Sequence, residues 1–155
     1  MNNTIRRQDR KISDSEAIAI LQKGEFGILS MCTPDNEGYG IPLNFALQGN
    51  AIYFHCAIEG SKLEYLRNNN KVSFCVVGKT EVLPSKFGTI YESAIASGTA
   101  SVVDGNEKYD ALMHIIQKYS GNYIEEGKGY IQKFYDKVNV IKLSIESITA
   151  KARKQ

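Results

Sequence analysis

The fold is decided by residues 38–57, which read GYGIPLNFALQGNAIYFHCA. Residues 39–47 and 51–57 are mostly apolar or aromatic, and they are separated by Gly49-Asn50, a pair typical of a turn. We therefore predict two consecutive antiparallel strands. Pro42 cannot donate a ladder hydrogen bond, so we expect the first of these strands at a sheet edge or at a bulge.

The same kind of pattern predicts further elements on both sides of this pair. Short apolar runs predict strands at 26–32, 72–77, 89–103 and 138–145, with a bulge in the third at Gly98. A capping box formed by Ser13 and Glu16 predicts the start of a helix that ends at Gly24. Other helices are expected to begin at Ser61 and to cover 109–119 and 127–137, and residues 78–88 read as a loop.

The order of these elements predicts the fold class. About six strands follow one another as antiparallel neighbours and do not alternate strictly with helices. We expect a mainly β protein with peripheral helices, built as a small antiparallel six-stranded barrel. We also expect a single domain over residues 1–155, with an N-terminal arm at 1–12 and a basic C-terminal tail at 146–155.

Composition argues against several classes of protein. The chain has 155 residues, 43% of them hydrophobic, with 19 Lys and Arg against 17 Asp and Glu. This balance is typical of a soluble domain and does not favour nucleic acid as the partner. No run approaches the ~18 apolar residues of a membrane span, and the polar N-terminus lacks the apolar core of a secretory signal. Three widely spaced cysteines favour a reducing compartment, so we expect a cytoplasmic protein that does not bind membranes.

Basic residues gather at both ends of the chain: Arg6, Arg7, Arg10, Lys11, Lys151, Arg153 and Lys154. Such clusters are more often solvated than ligand-binding, and we expect solvated tails here. A nucleic-acid-binding module is disfavoured because aromatic residues are not interleaved with these charges.

Common catalytic motifs are missing. The sequence contains no glycine-rich dinucleotide or P-loop fingerprint and no G-x-S-x-G elbow. A zinc site built from His55, Cys56 and another thiol lacks any paired ligand spacing, so no metal site is predicted. His114 lies on an apolar helical stripe and reads as a structural residue.

Residues 54–64, FHCAIEGSKLE, suggest an anion site. A strand ends, a glycine turn follows, and a helix begins with Ser61 and Lys62 in its first turn. Free amides and the positive end of the helix dipole favour a phosphate there, and Lys62 would add a full charge. On spacing alone, an ordinary capping box formed by Ser61 and Glu64 is an equally good interpretation.

Residues 38–45 are the second unusual segment. Two glycines and a proline weaken an otherwise good strand, and such strands often let a flat ligand lie against the backbone. A barrel corner explains the same residues and is the preferred interpretation when the segment is taken alone.

Together with other segments in the same order, these two resemble a known family. The segments are RQDR (7–10), GYGIPLNF (38–45), IYFHCA (52–57), EGSKL (59–63), VVGKTEVLP (76–84), YES (91–93) and ITAKAR (148–153). They look like the nitroimidazole-resistance (Nim-type) branch of the pyridoxamine 5'-phosphate oxidase-related flavoproteins. The resemblance covers about residues 5–153. It implies a split β-barrel that forms a homodimer with FMN in clefts between the subunits.

The resemblance also assigns roles to individual residues. Lys62 matches the lysine that grips the FMN phosphate, with Ser61 beside it. The strand along the flavin ring and ribityl chain corresponds to Ile41, Pro42, Leu43 and Asn44. His55 and Cys56 match a pair on the neighbouring strand, and His55 takes the place of a histidine proposed to act in the reaction. Ser93 falls where the oxidases place a glutamine that contacts the flavin ring.

These matches predict an FMN-dependent oxidoreductase that reduces nitro-aromatic compounds of the 5-nitroimidazole type, with such a small molecule as electron acceptor. The arginines with which true pyridoxamine phosphate oxidases bind their substrate have no evident counterpart here. Oxidation of vitamin B6 is therefore not expected. The alternative is a flavin- or haem-binding protein that acts as a sensor without turnover.

Overall fold

A curved antiparallel sheet organises the structure, a computed structural model that describes residues 5–155. Its strand order is β2-β1-β5-β6-β7-β4-β3. The strands are β1 (Gly27–Cys32), β2 (Gly38–Leu43), β3 (Ala46–Gln48), β4 (Ala51–Ala57), β5 (Lys71–Leu83), β6 (Gly88–Val103) and β7 (Val138–Arg153). The predicted class, mainly β with peripheral helices, is confirmed. The arrangement agrees with the split β-barrel that the resemblance implies, in which the sheet does not close through hydrogen bonds between its edges. The count of six strands is wrong, because seven form in the described residues.

Four helices surround the sheet in the described part of the chain: α1 (Asp14–Lys23), α2 (Ser61–Asn68), α3 (Gly105–Ser120) and α4 (Ile124–Phe134). Short 3-10 turns occupy Gln8–Arg10, Pro84–Lys86 and Tyr135–Lys137. The capping box predicted for α1 is confirmed, because the Glu16 amide donates to the Ser13 hydroxyl at 3.3 Å and the Ser13 amide donates to the Glu16 carboxylate at 3.0 Å. Gly24 follows α1 as its C-cap, as expected.

The seventh strand arises because the single strand expected over 39–47 is divided into β2 and β3. Phe45, between the two, is fully buried and lies outside the ladder. Its amide donates to the Tyr119 hydroxyl at 3.0 Å, and that hydroxyl donates to the Glu25 carbonyl at 2.6 Å. A side chain from α3 thus replaces a strand partner at this point. As predicted from Pro42, β2 is an edge strand.

Two strands are longer than the sequence suggested. Residues 78–83, expected in a loop, belong to β5, which pairs with β6 beyond a register shift between Val77 and Thr80. The resulting hairpin ends at Phe87, which has φ 48° and is 98% exposed. β7 was expected to end at 145 but continues to Arg153. Most of the segment expected as a basic tail is therefore hydrogen-bonded to β6.

The N-terminal segment packs beside the end of β7. Lys11 forms an isolated antiparallel bridge with Lys151, and the Ile12 amide donates to the Ala150 carbonyl at 3.4 Å. The two basic ends of the chain consequently lie side by side rather than as separate solvated tails.

Two apolar clusters lie on opposite sides of the sheet. The larger fills its concave side with α1 and α2 and includes Phe45, Phe54 and Phe74, all fully buried. The smaller lies between α3, α4 and the outer side of β4 and β7, around Tyr53 and Val140. The first half of β4 is consequently buried on both faces.

The predicted bulge at Gly98 is confirmed by a register shift between Ser97 and Gly98 in the β6–β7 ladder. A Cβ atom at Gly98 would lie 1.9 Å from the Ser144 carbonyl oxygen. This backbone contact cannot be relieved by rotating a side chain, so glycine is required there.

We predict that Gly98→Ala lowers the free energy of unfolding by about 2–3 kcal/mol, because the new methyl group forces β6 and β7 apart. Urea unfolding followed by circular dichroism measures this change. The control is Gly129→Ala on the exposed side of α4, where a Cβ meets no atom within 4 Å. The control should gain up to about 1 kcal/mol from helix propensity. Unchanged stability of Gly98→Ala would contradict the assigned packing.

Candidate functional site

The junction between β4 and α2 brings together four of the predicted site residues. Cys56 is buried in the core, whereas His55 lies on the opposite, solvent-facing side of β4. Three residues then lead into α2, which begins with Ser61 and Lys62. Gly60 in this connection has φ 137°, a backbone conformation that other residues rarely adopt. The sharp change of direction from strand to helix depends on that glycine.

The first turn of α2 has backbone amides that no side chain caps, and of these the Leu63 amide donates to the Gly60 carbonyl at 3.1 Å. Gly60 is the N-cap, and no side chain accepts a hydrogen bond from the helix start. The interpretation of Ser61 and Glu64 as a capping box is therefore wrong. N–H groups without a cap, at the positive end of a helix dipole, are suited to an anion.

Lys62 adds positive charge to this turn. Its side chain is half-buried, and it has no ion pair with any residue in the described part of the chain. Leu63 and Leu66 are buried in the larger core and hold the helix in place. An anchored helix with an unpaired lysine at its start fits a phosphate group.

Lys62 also acts on the neighbouring strand. Desolvation by surrounding atoms, assisted by the charge of Lys62, lowers the pKa of His55 below its ordinary value. Burial raises the pKa of the Cys56 thiol, and Lys62 opposes this shift. Near pH 7 the His55 ring is consequently mostly neutral and Cys56 is a thiol. Neutral imidazole both donates and accepts hydrogen bonds, and a nearby dianion would raise its pKa again.

The β2 residues named from the sequence lie along a sheet edge. Ile41 and Leu43 pack against the core, and Pro42 between them faces outward. Asn44 follows the strand, and its side-chain amide donates to the Glu25 carbonyl at 3.0 Å. Its orientation is therefore fixed within the chain.

A contact between aromatic rings connects α2 to β2. Tyr65 of α2 and Tyr39 of β2 meet edge to face, with ring centroids 5.3 Å apart. The helix start and the β2 edge therefore border the same side of the molecule.

Ser93 lies far from this junction along the sheet. In β6 it pairs with Val77 and with Lys151, near the end of β7. His55 instead pairs with Val140, near the start of β7. Within one chain the two residues lie near opposite ends of the long β6–β7 ladder, so a single chain does not bring Ser93 and His55 into one cleft.

Sequence reasoning missed a surface on the convex side of the sheet, which we call the outer face. It consists of side chains in adjacent rows across β1, β5, β6 and β7: Ile28, Cys75, Ile95 and Thr149 in one row, and Ser30, Ser73, Ser97 and Ser147 in the next. α1 and α2 pack on the concave side, and α3 and α4 pack against the region around β4. In the sequence these strands show small residues at alternate positions. Only the strand registers show that these positions lie side by side and form one surface.

The described residues contain no cluster of side chains that could bind a metal ion. Among residues 5–155, no three His, Cys, Asp or Glu side chains are grouped closely enough to hold an ion. Over the same residues, none of the helices has the length and apolar character needed to cross a membrane.

Comparison with known proteins places the chain in a family. A family model described as pyridoxamine 5'-phosphate oxidase matches residues 13–152. The chain belongs to this family. The match covers the whole sheet apart from the final residue of β7, and it includes the β4–α2 junction. A comparison with curated proteins gave no match.

Solved structures of the same fold come from several bacteria. A candidate 5-nitroimidazole antibiotic resistance protein from Bacteroides thetaiotaomicron is 21% identical, with a TM-score of 0.72 over 90% of this chain and 83% of that one. The flavocytochrome Anf3 from Azotobacter vinelandii is 17% identical, with a TM-score of 0.83 over 98% and 73% of the two chains. An FAD- and haem-binding protein from Mycobacterium smegmatis is 16% identical, with a TM-score of 0.83 over 96% and 75%. These likenesses extend the fold assignment to nearly the full chain.

Proposed function

We propose that this protein binds FMN and acts as an FMN-dependent oxidoreductase that reduces nitro-aromatic compounds of the 5-nitroimidazole type. The observation that carries the proposal is the start of α2, where uncapped amides and the unpaired Lys62 lie beside His55. Membership of the pyridoxamine 5'-phosphate oxidase family supports a flavin as the ligand of this site.

The residues present fit the cofactor by their chemistry. The amides of the first turn of α2, with Ser61 and Lys62, would hold the phosphate dianion. The edge strand β2, where Pro42 offers no N–H and Asn44 is already bonded to Glu25, would border the ribityl chain and the ring. When bound, FMN would supply the redox chemistry of the reaction, taking electrons from a donor and passing them to the acceptor.

A homodimer would complete the site. The outer face is uncharged at its centre, consists mostly of Ser, Thr and Cys, and contains two isoleucines, Ile28 and the partly exposed Ile95. Burying such a surface against a second copy removes apolar area from water without leaving a charge unpaired. Because Ser93 is remote from His55 within one chain, we assign Ser93 to the cleft of the partner subunit, with one FMN held at each of two symmetric clefts.

His55 is the proposed catalytic residue. It lies on the solvent-facing side of β4, next to the segment that would hold the phosphate. Its imidazole would donate a hydrogen bond, and then a proton, to a nitro oxygen of the acceptor. The negative charge of the FMN phosphate would raise the pKa of His55 and so oppose the effect of Lys62.

The substrate class rests on two supports. The fold matches that of the candidate nitroimidazole resistance protein, and the Nim-type segments span the chain.

All three cysteines are free thiols, which agrees with the reducing, cytoplasmic compartment that the sequence suggested.

A second candidate is a flavin- or haem-binding protein without turnover. It is favoured by the likeness to the flavocytochrome and to the FAD- and haem-binding protein. The absorbance spectrum of purified protein separates the cofactors, because a flavin and a haem absorb at different wavelengths.

We predict that Lys62→Glu weakens FMN binding by roughly 100-fold, because a charge-assisted contact is replaced by repulsion of the phosphate. Fluorescence quenching of FMN on titration with protein measures the affinity. The control is Lys128→Glu on α4, where the lysine pairs with Glu125 on the surface. Equal affinity of Lys62→Glu and the wild type would refute the phosphate assignment.

We predict that His55→Gln lowers the rate of nitroimidazole reduction at least ~100-fold while FMN remains bound. The wild-type rate should rise as the pH falls through the pKa of His55, because only the protonated ring donates a proton, and the variant should lose this dependence. Stopped-flow reoxidation of the reduced protein by the nitro compound gives both quantities. Full activity in His55→Gln would show that His55 is not catalytic and only shapes the pocket.

We predict that Ile95→Glu converts the dimer to a monomer and reduces FMN retention, because a charge is placed in the centre of the outer face. Light scattering during size-exclusion chromatography reports the mass. Val102→Glu, at a β6 side chain that is 58% exposed and lies on the opposite face of the sheet, is the control and should remain dimeric. A monomeric wild-type protein with bound FMN would rule out the intersubunit site.

A further inference from the structure

The two ends of the described chain line an open cavity of about 660 Å³, away from the start of α2. It lies between the segment 7–16 and the end of β7. Its charged lining residues are Arg7, Asp9, Arg10, Lys11, Glu16, Arg153 and Lys154. Five cationic side chains therefore face two anionic ones across a space large enough for a small ligand.

Both acidic side chains of the lining already have cationic partners. Arg7 donates two hydrogen bonds to Asp9, at 2.8 and 2.6 Å, and Lys154 donates one to Glu16 at 2.7 Å. These partners lower the pKa of both carboxyl groups to about 2, so each carboxylate stays ionised near neutral pH. The excess positive charge of the lining is then carried by Arg10, Lys11 and Arg153.

The two remaining arginines are held in position by neighbouring residues. The Arg10 guanidinium lies 5.9 Å from the centre of the Tyr91 ring and donates to its hydroxyl at 3.4 Å. Arg153 lies over Gly88, where a Cβ atom would come within 2.3 Å of its Nη1. Since Tyr91 and Arg153 are cross-strand partners, both guanidinium groups are positioned by the same stretch of sheet.

The position of Lys11 is fixed by a backbone bridge to β7. Its bridge to Lys151 attaches the N-terminal segment to β7, so the lysine cannot move away from Arg153 without breaking that pairing. Like charges held close together repel, and a bound anion relieves this repulsion while accepting hydrogen bonds from the arginines. Among residues 5–155, Arg10, Lys11 and Arg153 have no ion pair with an acidic side chain, and the one hydrogen bond of the Arg153 Nε goes to the Gln155 backbone oxygen at 3.0 Å.

We propose that this cavity is a second anion site, which binds a ligand through a phosphate group. Guanidinium groups match the geometry of phosphate oxygens, and two of them with a lysine can neutralise a dianion. Within one chain the cavity is separate from the start of α2, because Arg153 closes β7 whereas His55 pairs near its start. In the proposed homodimer the cavity would border the partner subunit's flavin cleft, because Tyr91 and Arg153 lie two residues from Ser93 and Lys151. The basic ends of the chain thus form one binding surface instead of two solvated tails.

Calorimetric titration with inorganic phosphate and with pyrophosphate tests the proposal. We expect binding to the purified protein, and equal binding after the protein is saturated with FMN. Arg153→Gln and Lys11→Gln should each weaken binding about tenfold, because each removes one charged contact. The control Lys128→Gln, whose lysine lies on α4, should bind as the wild type does. Circular dichroism and the melting temperature check that each variant is folded, and Lys11→Gln, at an exposed side chain, keeps the test available if Arg153→Gln unfolds.

Three results would overturn the proposal. The first is a dissociation constant above about 10 mM for both anions. The second is unchanged affinity in both cavity variants. The third is loss of anion binding on FMN saturation or in Lys62→Glu, which would show that phosphate occupies the flavin site and that no second anion site exists.

Discussion

The structure depends on how the gap in its sheet is filled. β2 and β3 are the two edge strands, and no hydrogen bonds join them. Side chains close the space instead: Leu63 and Leu66 of α2 enter the core, and Tyr65 meets Tyr39 of β2. Burial of these apolar groups fixes α2 at the end of β4. The exposed amides and Lys62 at the helix start therefore belong to a helix that is anchored in the core.

A second constraint acts from the other side of the sheet. Tyr119 of α3 bonds the backbone around Phe45, while the Lys118 amine lies 3.7 Å from the centre of the Phe45 ring. Its Nζ is buried without a hydrogen-bond partner in the described residues, and this desolvation lowers the pKa of Lys118 to about 8. The connection between β2 and β3 is thus held in place by α3 as well as by the core.

Local patterns in the sequence were sufficient for the elements around the candidate site. β4 occupies the residues expected, α2 begins at Ser61, and the α1 capping box and the Gly98 bulge are present. These features depend on alternation, caps or a single glycine, which neighbouring residues determine. The resemblance to a flavoprotein family was confirmed at the level of the family.

The errors have non-local causes. The division of the strand at Phe45 needs Tyr119, 74 residues away in sequence. The polar stretch at 78–83 looked like a loop because its strand pairing comes only from residues 88–91. The basic C-terminal segment was expected to be solvated, but its pairing with β6 and with Lys11 orders it. Sequence alone also could not show that Ser93 and His55 lie at different ends of the sheet, because that separation follows from strand register.

Pro42 and the shortness of β3 have a consequence for the behaviour of the chain in concentrated solution. An unpaired strand edge is a template onto which another polypeptide can add, the first step of fibrous aggregation. β2 interrupts its free edge with an imide nitrogen that has no hydrogen, and β3 offers only three residues, Ala46–Gln48. Both open sides of the sheet are therefore poor seeds for polymerisation, although the sheet never closes into a ring.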